Sequence, residues 1–165
     1  MIRIRAFQPD DWPAVWRIVE PVFRAGETWP LALDVSEEEA RAFLVERPSA
    51  TFVALDAAAA VVGTYYLKPN QPALGAHVAN AGYIVAQSAR GHGIASALCR
   101  HSQTEALARG FLAMQFNLVV ATNAAAVHVW QKEGFAIVGT LPQAFRHRRL
   151  GLVDAYVMHK LLARD

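Results

Sequence analysis

The segment Val85-Ala86-Gln87-Ser88-Ala89-Arg90-Gly91-His92-Gly93-Ile94-Ala95 has the composition of a turn that holds an anion. Its glycines let the backbone turn without Cβ interference, so that successive N–H groups converge on one concavity. A helix starting there would aim the positive end of its dipole at the same place. Glycines also serve plain helix capping, and the residues alone leave both readings open. The spacing is too short for a G-x-x-x-x-G-K-[ST] loop, and Arg90 stands where no Walker lysine could. Asn80, in His77-Val78-Ala79-Asn80-Ala81-Gly82-Tyr83, and Asn117, in Met114-Gln115-Phe116-Asn117-Leu118-Val119, are amides among apolar neighbours. Such an amide must be hydrogen-bonded, so each is either structural or part of a polar site between strands. Glu27, in Arg24-Ala25-Gly26-Glu27-Thr28-Trp29, either meets a substrate or is a solvated loop carboxylate. His77 has the intrinsic pKa of a general base but sits at a strand start, where histidine usually serves the surface. His92 faces phosphate or solvent, and His128 and Lys132 read as a solvated helix face. The six histidines show no H-E-x-x-H or similar spacing, so no metal is implied. Cys99 is the only cysteine, which excludes an internal disulfide, and its apolar surroundings Ala97-Leu98-Cys99 argue against a nucleophilic role.

These residues must be positioned by elements read from periodicity. Ile2, Ile4 and Ala6 alternate with Arg3 and Arg5 as in a half-buried strand. Pro9-Asp10-Asp11 opens a helix with Val15, Ile18, Val19, Val22 and Phe23 on one face, ending at Gly26. Ser36-Glu37-Glu38-Glu39 has the capping-box form and starts a second helix running to about Arg47. Residues 51–56 and 60–67 read as a hairpin, and His77–Val85 as a third strand. A helix from near Gly93 to Arg109, a strand at 112–120, a helix from Asn123 to Glu133 and strands near 135–141 and 152–161 complete the chain. The order β-α-α-β-β-β-α-β-α-β-β predicts a mixed, mostly antiparallel α/β (α+β) sheet of about seven strands, with helices on both faces.

The 165 residues correspond to one domain, 1–165, at about 150 residues per domain. Hydrophobic residues make up 54% and charged residues 18%, which excludes intrinsic disorder. No apolar run reaches the ~20 residues of a membrane span, and Met1-Ile2-Arg3-Ile4-Arg5 lacks signal-peptide features, so the expected compartment is the cytoplasm. A formal charge of +2 does not make a nucleic-acid binder. The dense run Arg146-His147-Arg148-Arg149 reads first as a solvated loop and second as an anion-contacting patch.

Arg90-Gly91-His92-Gly93-Ile94-Ala95 resembles the [Q/R]-x-x-G-x-[G/A] motif of the GNAT (Gcn5-related N-acetyltransferase) superfamily, and the element order resembles that fold from end to end. The resemblance implies that the turn Arg90, Gly91, His92, Gly93, Ile94 and Ala95 binds the pyrophosphate of acetyl-CoA, and that the strand ending at Val85 offers backbone groups to the pantetheine. Asn123 through Phe135 resembles the family's N-x-x-A-x-x-x-Y-x-x-x-G-F segment at the thioester end, with Trp130 in place of the tyrosine. Amine acetylation requires removal of an ammonium proton, a donor for the oxyanion and, helpfully, protonation of the departing thiolate. An indole N–H donates no proton at working pH, so Trp130 is expected to wall the acyl pocket instead. Asn123 either hydrogen-bonds near the thiol or caps its helix, two compatible roles.

The stretch His77–Tyr83 and the distal Leu152-Val153-Asp154-Ala155-Tyr156 resemble a subgroup that acetylates amino acids and their toxic analogues, in which the asparagine on this strand contacts substrate. The implied catalytic residues are Asn80, Glu27 and Asn123, and Glu27, His77, Asn80 and Asn117 surround the substrate. The implied activity is direct acetyl transfer to a small-molecule amine, without metal, nucleic acid or membrane and with a homodimer as the possible assembly. Alternatives are a peptide or protein acceptor, which the basic run would suit, or a catalytically weak CoA-binding sensor.

Overall fold

A computed structural model describes residues 2–162. One sheet of seven strands in the order β1-β2-β3-β4-β5-β7-β6 forms its middle layer. The strands are β1 (Arg3–Ala6), β2 (Ala50–Leu55), β3 (Val61–Pro69), β4 (Val78–Val85), β5 (Ala113–Val120), β6 (Ala136–His147) and β7 (Gly151–Leu161). Every neighbouring pair is antiparallel except β4 and β5.

Strand alternation divides the core between the two faces. Val53, Leu55, Tyr66 and Ile84 point to helices α1 (Trp12–Ala25) and α2 (Glu37–Arg41), where they meet Trp12, Val15, Val19, Phe23 and Leu44. Phe52, Ala54, Tyr65, Leu67 and Ala79 point to the opposite face, against Ile94, Leu98 and Trp130 of helices α3 (Ile94–Ala108) and α4 (Ala124–Lys132). Each fully buried leucine or valine contributes roughly 1.5–3 kcal/mol by leaving water.

The helices begin where their capping residues require. Ser36 Oγ accepts from the Glu39 N–H and Glu39 Oε2 from the Ser36 N–H, at 3.1 and 3.0 Å. The helix then widens into a π turn over Ala42–Glu46, and Thr51 Oγ1 donates to the Leu44 carbonyl at 2.6 Å. Gly26, at φ +63°, ends α1 in the left-handed conformation.

The observed β6 runs to His147, six residues past the expected strand near 135–141. Pro142 lies inside the strand and Gln143 has φ +52°, yet the strand resumes after a register shift between Leu141 and Phe145. An edge strand tolerates this, because a proline without an N–H costs no ladder bond on the open side. The run Arg146–Arg149 is therefore the end of β6 and its turn. Arg148 donates from its backbone to the Gly26 carbonyl and from its side chain to the Arg24 carbonyl, both at 2.9 Å, and Arg149 pairs with Glu27 at 2.6 Å. Arg146, Arg148 and Arg149 are solvent-exposed, as the first reading expects, and the run in addition ties the β6–β7 turn to the end of α1.

At the other end of α1, Arg5 of β1 grips both carboxylate oxygens of Asp11 at 2.7 Å. That ion pair, aided by the Gln8 backbone N–H, holds the Asp11 carboxyl below its ordinary pKa. A depressed carboxyl stabilises the fold above its unfolded pKa of about 3.9, and the contribution is lost as pH falls through the lower folded value. Asp11→Asn should lower the urea midpoint most between about pH 5 and 7, with the gap to wild type narrowing below about pH 3. A gap constant across pH would contradict the assignment.

Candidate active site

The site exists because β4 and β5 part. As parallel neighbours they pair only at Val78↔Ala113 and Ala79↔Met114. At the next position Asn80 replaces the ladder with a side-chain bond, its Nδ2 donating to the Gln115 carbonyl at 3.0 Å. Beyond it, Tyr83, Phe116 and Trp130 pack together on the α3 and α4 face of the sheet, with ring centroids 4.8 to 5.8 Å apart. No ladder pair follows Ala79↔Met114, and the β5-facing backbone groups of residues 81–85 are open to a cleft of about 1890 Å³. The cleft extends from the Gly91–Gly93 turn to the loop carrying Glu27 and Trp29.

At one end, β4 stops at Val85, a 3-10 turn covers Gln87–Ala89, and Gly91 and Gly93 follow at φ +80° and +75°. Gly93 is the N-cap of α3 and supplies no side-chain cap. Among the described residues, the N–H groups of Gly91, His92 and Gly93 have no backbone acceptor. A Cβ placed on either glycine would meet no protein atom within 4 Å. The turn is therefore an open cup of N–H donors at a helix N-terminus, the geometry that holds a phosphate. His92 Nδ1 donates to the Arg90 carbonyl at 2.9 Å, and Arg90 itself is exposed beside the cup. Val85, Arg90, Gly91, Gly93, Ile94 and Ala95 all line the cleft. His92 belongs to the same turn through its backbone.

At the thioester end expected for α4, Asn123 is the helix N-cap, its Oδ1 accepting from the Ala126 N–H at 3.3 Å. Trp130 is buried against Tyr83 and Phe116, and its ring forms a wall of the cleft. Cys99 lies wholly inside the core, where burial pushes its thiol up to about 11.

The other end is built on the α1 and α2 side of the sheet. Asn80 Oδ1 accepts from the Tyr66 hydroxyl at 3.3 Å, and burial pushes that phenol up to about 12, so it stays a neutral donor. With Gln115 taking one N–H, Asn80 keeps its second N–H and a carbonyl lone pair uncommitted. Glu27 lines the cleft with one oxygen held by Arg149. Asn117 is exposed on the rim, donating to Asn70 Oδ1 at 2.7 Å and accepting from Gln115 Nε2 at 2.9 Å. His77 is exposed at the foot of β4 and does not line the cleft, so the fold does not bring it to the other residues.

Sequence reasoning missed the wall at this end. Trp29, Phe43 and Tyr66 form an edge-to-face cluster with centroids 5.8 to 6.2 Å apart. Gly82 makes room for it: a Cβ there would stand 2.5 Å from the Trp29 ring and 2.8 Å from that of Tyr66. A lone glycine inside an apolar strand was the available signal for such close approach. Among the described residues there is no group of three or more potential metal ligands, and no helix is long and apolar enough to cross a membrane.

Comparison with known proteins matches this geometry. The sequence profile of the Acetyltransferase (GNAT) family matches residues 12–135. A GCN5-related N-acetyltransferase from Kribbella flavida superposes with a TM-score of 0.92 at 41% identity, covering 98% of each chain. The N-acetyltransferase aca1 of Schizosaccharomyces pombe is 29% identical over 148 residues, which span 80% of this chain and 71% of that protein. A phosphinothricin acetyltransferase from Sinorhizobium meliloti, solved in complex with acetyl-CoA, shares the fold with a TM-score of 0.87 at 19% identity, covering 98% of this chain and 89% of that one.

Gly93→Val places a β-branched residue at φ +75° and a side chain in the cup. It should raise the acetyl-CoA KM by about tenfold or more, while the backbone strain costs about 1–2 kcal/mol of stability. An unchanged KM in folded protein would refute the cup as the phosphate site.

Proposed function

This chain belongs to the GNAT acetyltransferase family, and on that premise we propose that it transfers the acetyl group of acetyl-CoA directly to the amine of a small molecule, an amino acid or amino-acid analogue. The observation that carries the reading is the parted β4–β5 pair, which joins the N–H cup at one end to an aromatic-walled pocket at the other in a single cleft.

Bound acetyl-CoA supplies a thioester already activated toward amines. The residues of the cleft fit it: the N–H groups of the cup and the α3 dipole accept phosphate, and the free edge of β4 offers peptide groups to an amide-bearing arm. Arg90 adds positive charge beside the cup. Trp130 closes the α4 side and Asn123 fixes the start of that helix. At the acceptor end Asn80, held by Tyr66 and Gln115, presents a fixed lone pair that can accept an amine N–H and so turn the nitrogen lone pair toward the thioester. Glu27 offers its second carboxylate oxygen to the acceptor ammonium, and the proton leaves through this oxygen or rim water. A thiolate whose thiol has a pKa near 8.5 departs without a dedicated acid, so a tryptophan at position 130 is compatible with turnover.

The Cys99 thiol, buried and pushed up to about 11, is closed to acyl transfer. Cys99→Ala should keep kcat within about twofold and cost roughly 1 kcal/mol of stability. Loss of turnover in the folded variant would instead support a covalent acyl-enzyme.

The acceptor class is tested by CoA release from acetyl-CoA against free amino acids, analogues, polyamines, aminoglycosides and short peptides. Turnover concentrated on amino acids or their analogues supports the proposal. Turnover confined to peptides, or acetyl-CoA binding without turnover on any amine, contradicts it.

A further inference from the structure

The acceptor end of the cleft contains a cation that nothing described in the protein neutralises. Tyr66 and Lys68 fall on the same face of β3, in register with Gly82 and Asn80 of β4. Lys68 is half-buried and lines the cleft, its Nζ standing 5.9 Å from the ring centroid of Phe43 and 5.6 Å from that of Tyr66. Two aromatic faces hold the ammonium in place without cancelling its charge.

Most of the carboxylates near it are engaged elsewhere, and neither Asp34 nor Glu38, at the start of α2, pairs with it. No ion pair among the described residues includes Lys68. Among the described residues three carboxylates line the cleft: Asp11 belongs to Arg5, Glu27 to Arg149, and Asp10 precedes α1. The 14 residues of α1 separate Asp10 from the Glu27 end by about 20 Å. On the nearby helices Glu20 pairs with Arg24, Glu46 with Arg41, Glu39 caps Ser36, and Glu37 accepts from Trp12 Nε1. Arg47 adds a further cation, sharing with Lys68 a smaller concavity of about 310 Å³ beside the cleft.

We propose that Lys68 is the specificity-determining anchor for an anionic group on the acceptor, so that the enzyme selects amines that also carry a carboxylate or a comparable oxyanion. This rests on the small-molecule acceptor reading and narrows it. The aromatic cluster of Trp29, Phe43 and Tyr66 receives the acceptor's apolar body, Asn80 and Glu27 its amine, and Lys68 its anion. Polyamines are rejected because Lys68 and Arg47 repel the second cationic end of such a molecule.

The test uses matched pairs, leucine with leucinamide and methionine with methioninamide, together with spermidine. CoA release gives kcat and KM, and calorimetry on the CoA-bound enzyme gives acceptor affinity. Wild type should prefer the free acids. Lys68→Met should cut the acid-over-amide ratio of kcat/KM by about tenfold to a hundredfold, the loss of one charge-assisted contact, and Lys68→Arg should keep most of the preference. The acetyl-CoA KM should move far less than the acid KM. An acid-over-amide ratio unchanged by Lys68→Met overturns the assignment, as does a wild-type preference for amides or spermidine. If no amine is acetylated, calorimetry decides: acids bound by wild type and lost in Lys68→Met uphold the anchor while the acceptor reading falls, and acids unbound by wild type overturn the anchor itself.

Discussion

Everything in this molecule that can do chemistry depends on two parallel strands being kept apart. β4 and β5 start as ordinary neighbours and exchange ladder bonds at two positions only. Asn80 closes the paired segment by bonding across to Gln115, and Tyr83, Phe116 and Trp130 pack as one aromatic group on the α3 and α4 face where the strands part. Parting a ladder strands N–H and C=O groups, which is tolerable only where solvent or a ligand meets them. The cleft meets that condition, because the open edge of β4 leads straight into the Gly91–Gly93 cup.

The cup was legible in the sequence because it is local. Its glycines, the strand before it and the helix after it lie within one continuous stretch, and their backbone requirements follow from residue type alone. The element order was legible for the same reason, since capping signals such as Ser36 and Glu39 are separated by only three residues. The acceptor end was not, because Trp29, Phe43, Tyr66, Lys68 and Gly82 come from four separate segments joined only by strand register and helix packing. Asn80 stood out as an amide in an apolar strand, but that its partners are Tyr66 and the Gln115 carbonyl could not be read from spacing. The length of β6 was hidden by Pro142, and the basic run beyond it owes its meaning to the end of α1, more than a hundred residues earlier.

That fastening has its own physical logic. The β6–β7 turn is far from α1 in sequence, yet Arg148 satisfies the carbonyls of Arg24 and Gly26 and Arg149 engages Glu27. Helix C-termini carry unsatisfied carbonyls and partial negative charge, so a guanidinium there is favourable by about 0.3–1 kcal/mol. The same contacts fix the loop that carries Glu27 and Trp29, which are cleft residues. The acceptor end is thereby held by contacts between distant parts of the chain, whereas the cup follows from one local turn.

We propose that the open edge of β4 and the cup after it form one continuous binding surface for acetyl-CoA. It is tested most directly by titrating isotope-labelled protein with acetyl-CoA and following the backbone amide resonances. The largest saturable shifts should fall on residues 82–85 and on the turn of Gly91, His92 and Gly93, while exposed His77 and the outer edge of β6 stay unmoved. Saturable binding that leaves the 82–95 amides unchanged would contradict the claim, since the cofactor would then occupy another surface.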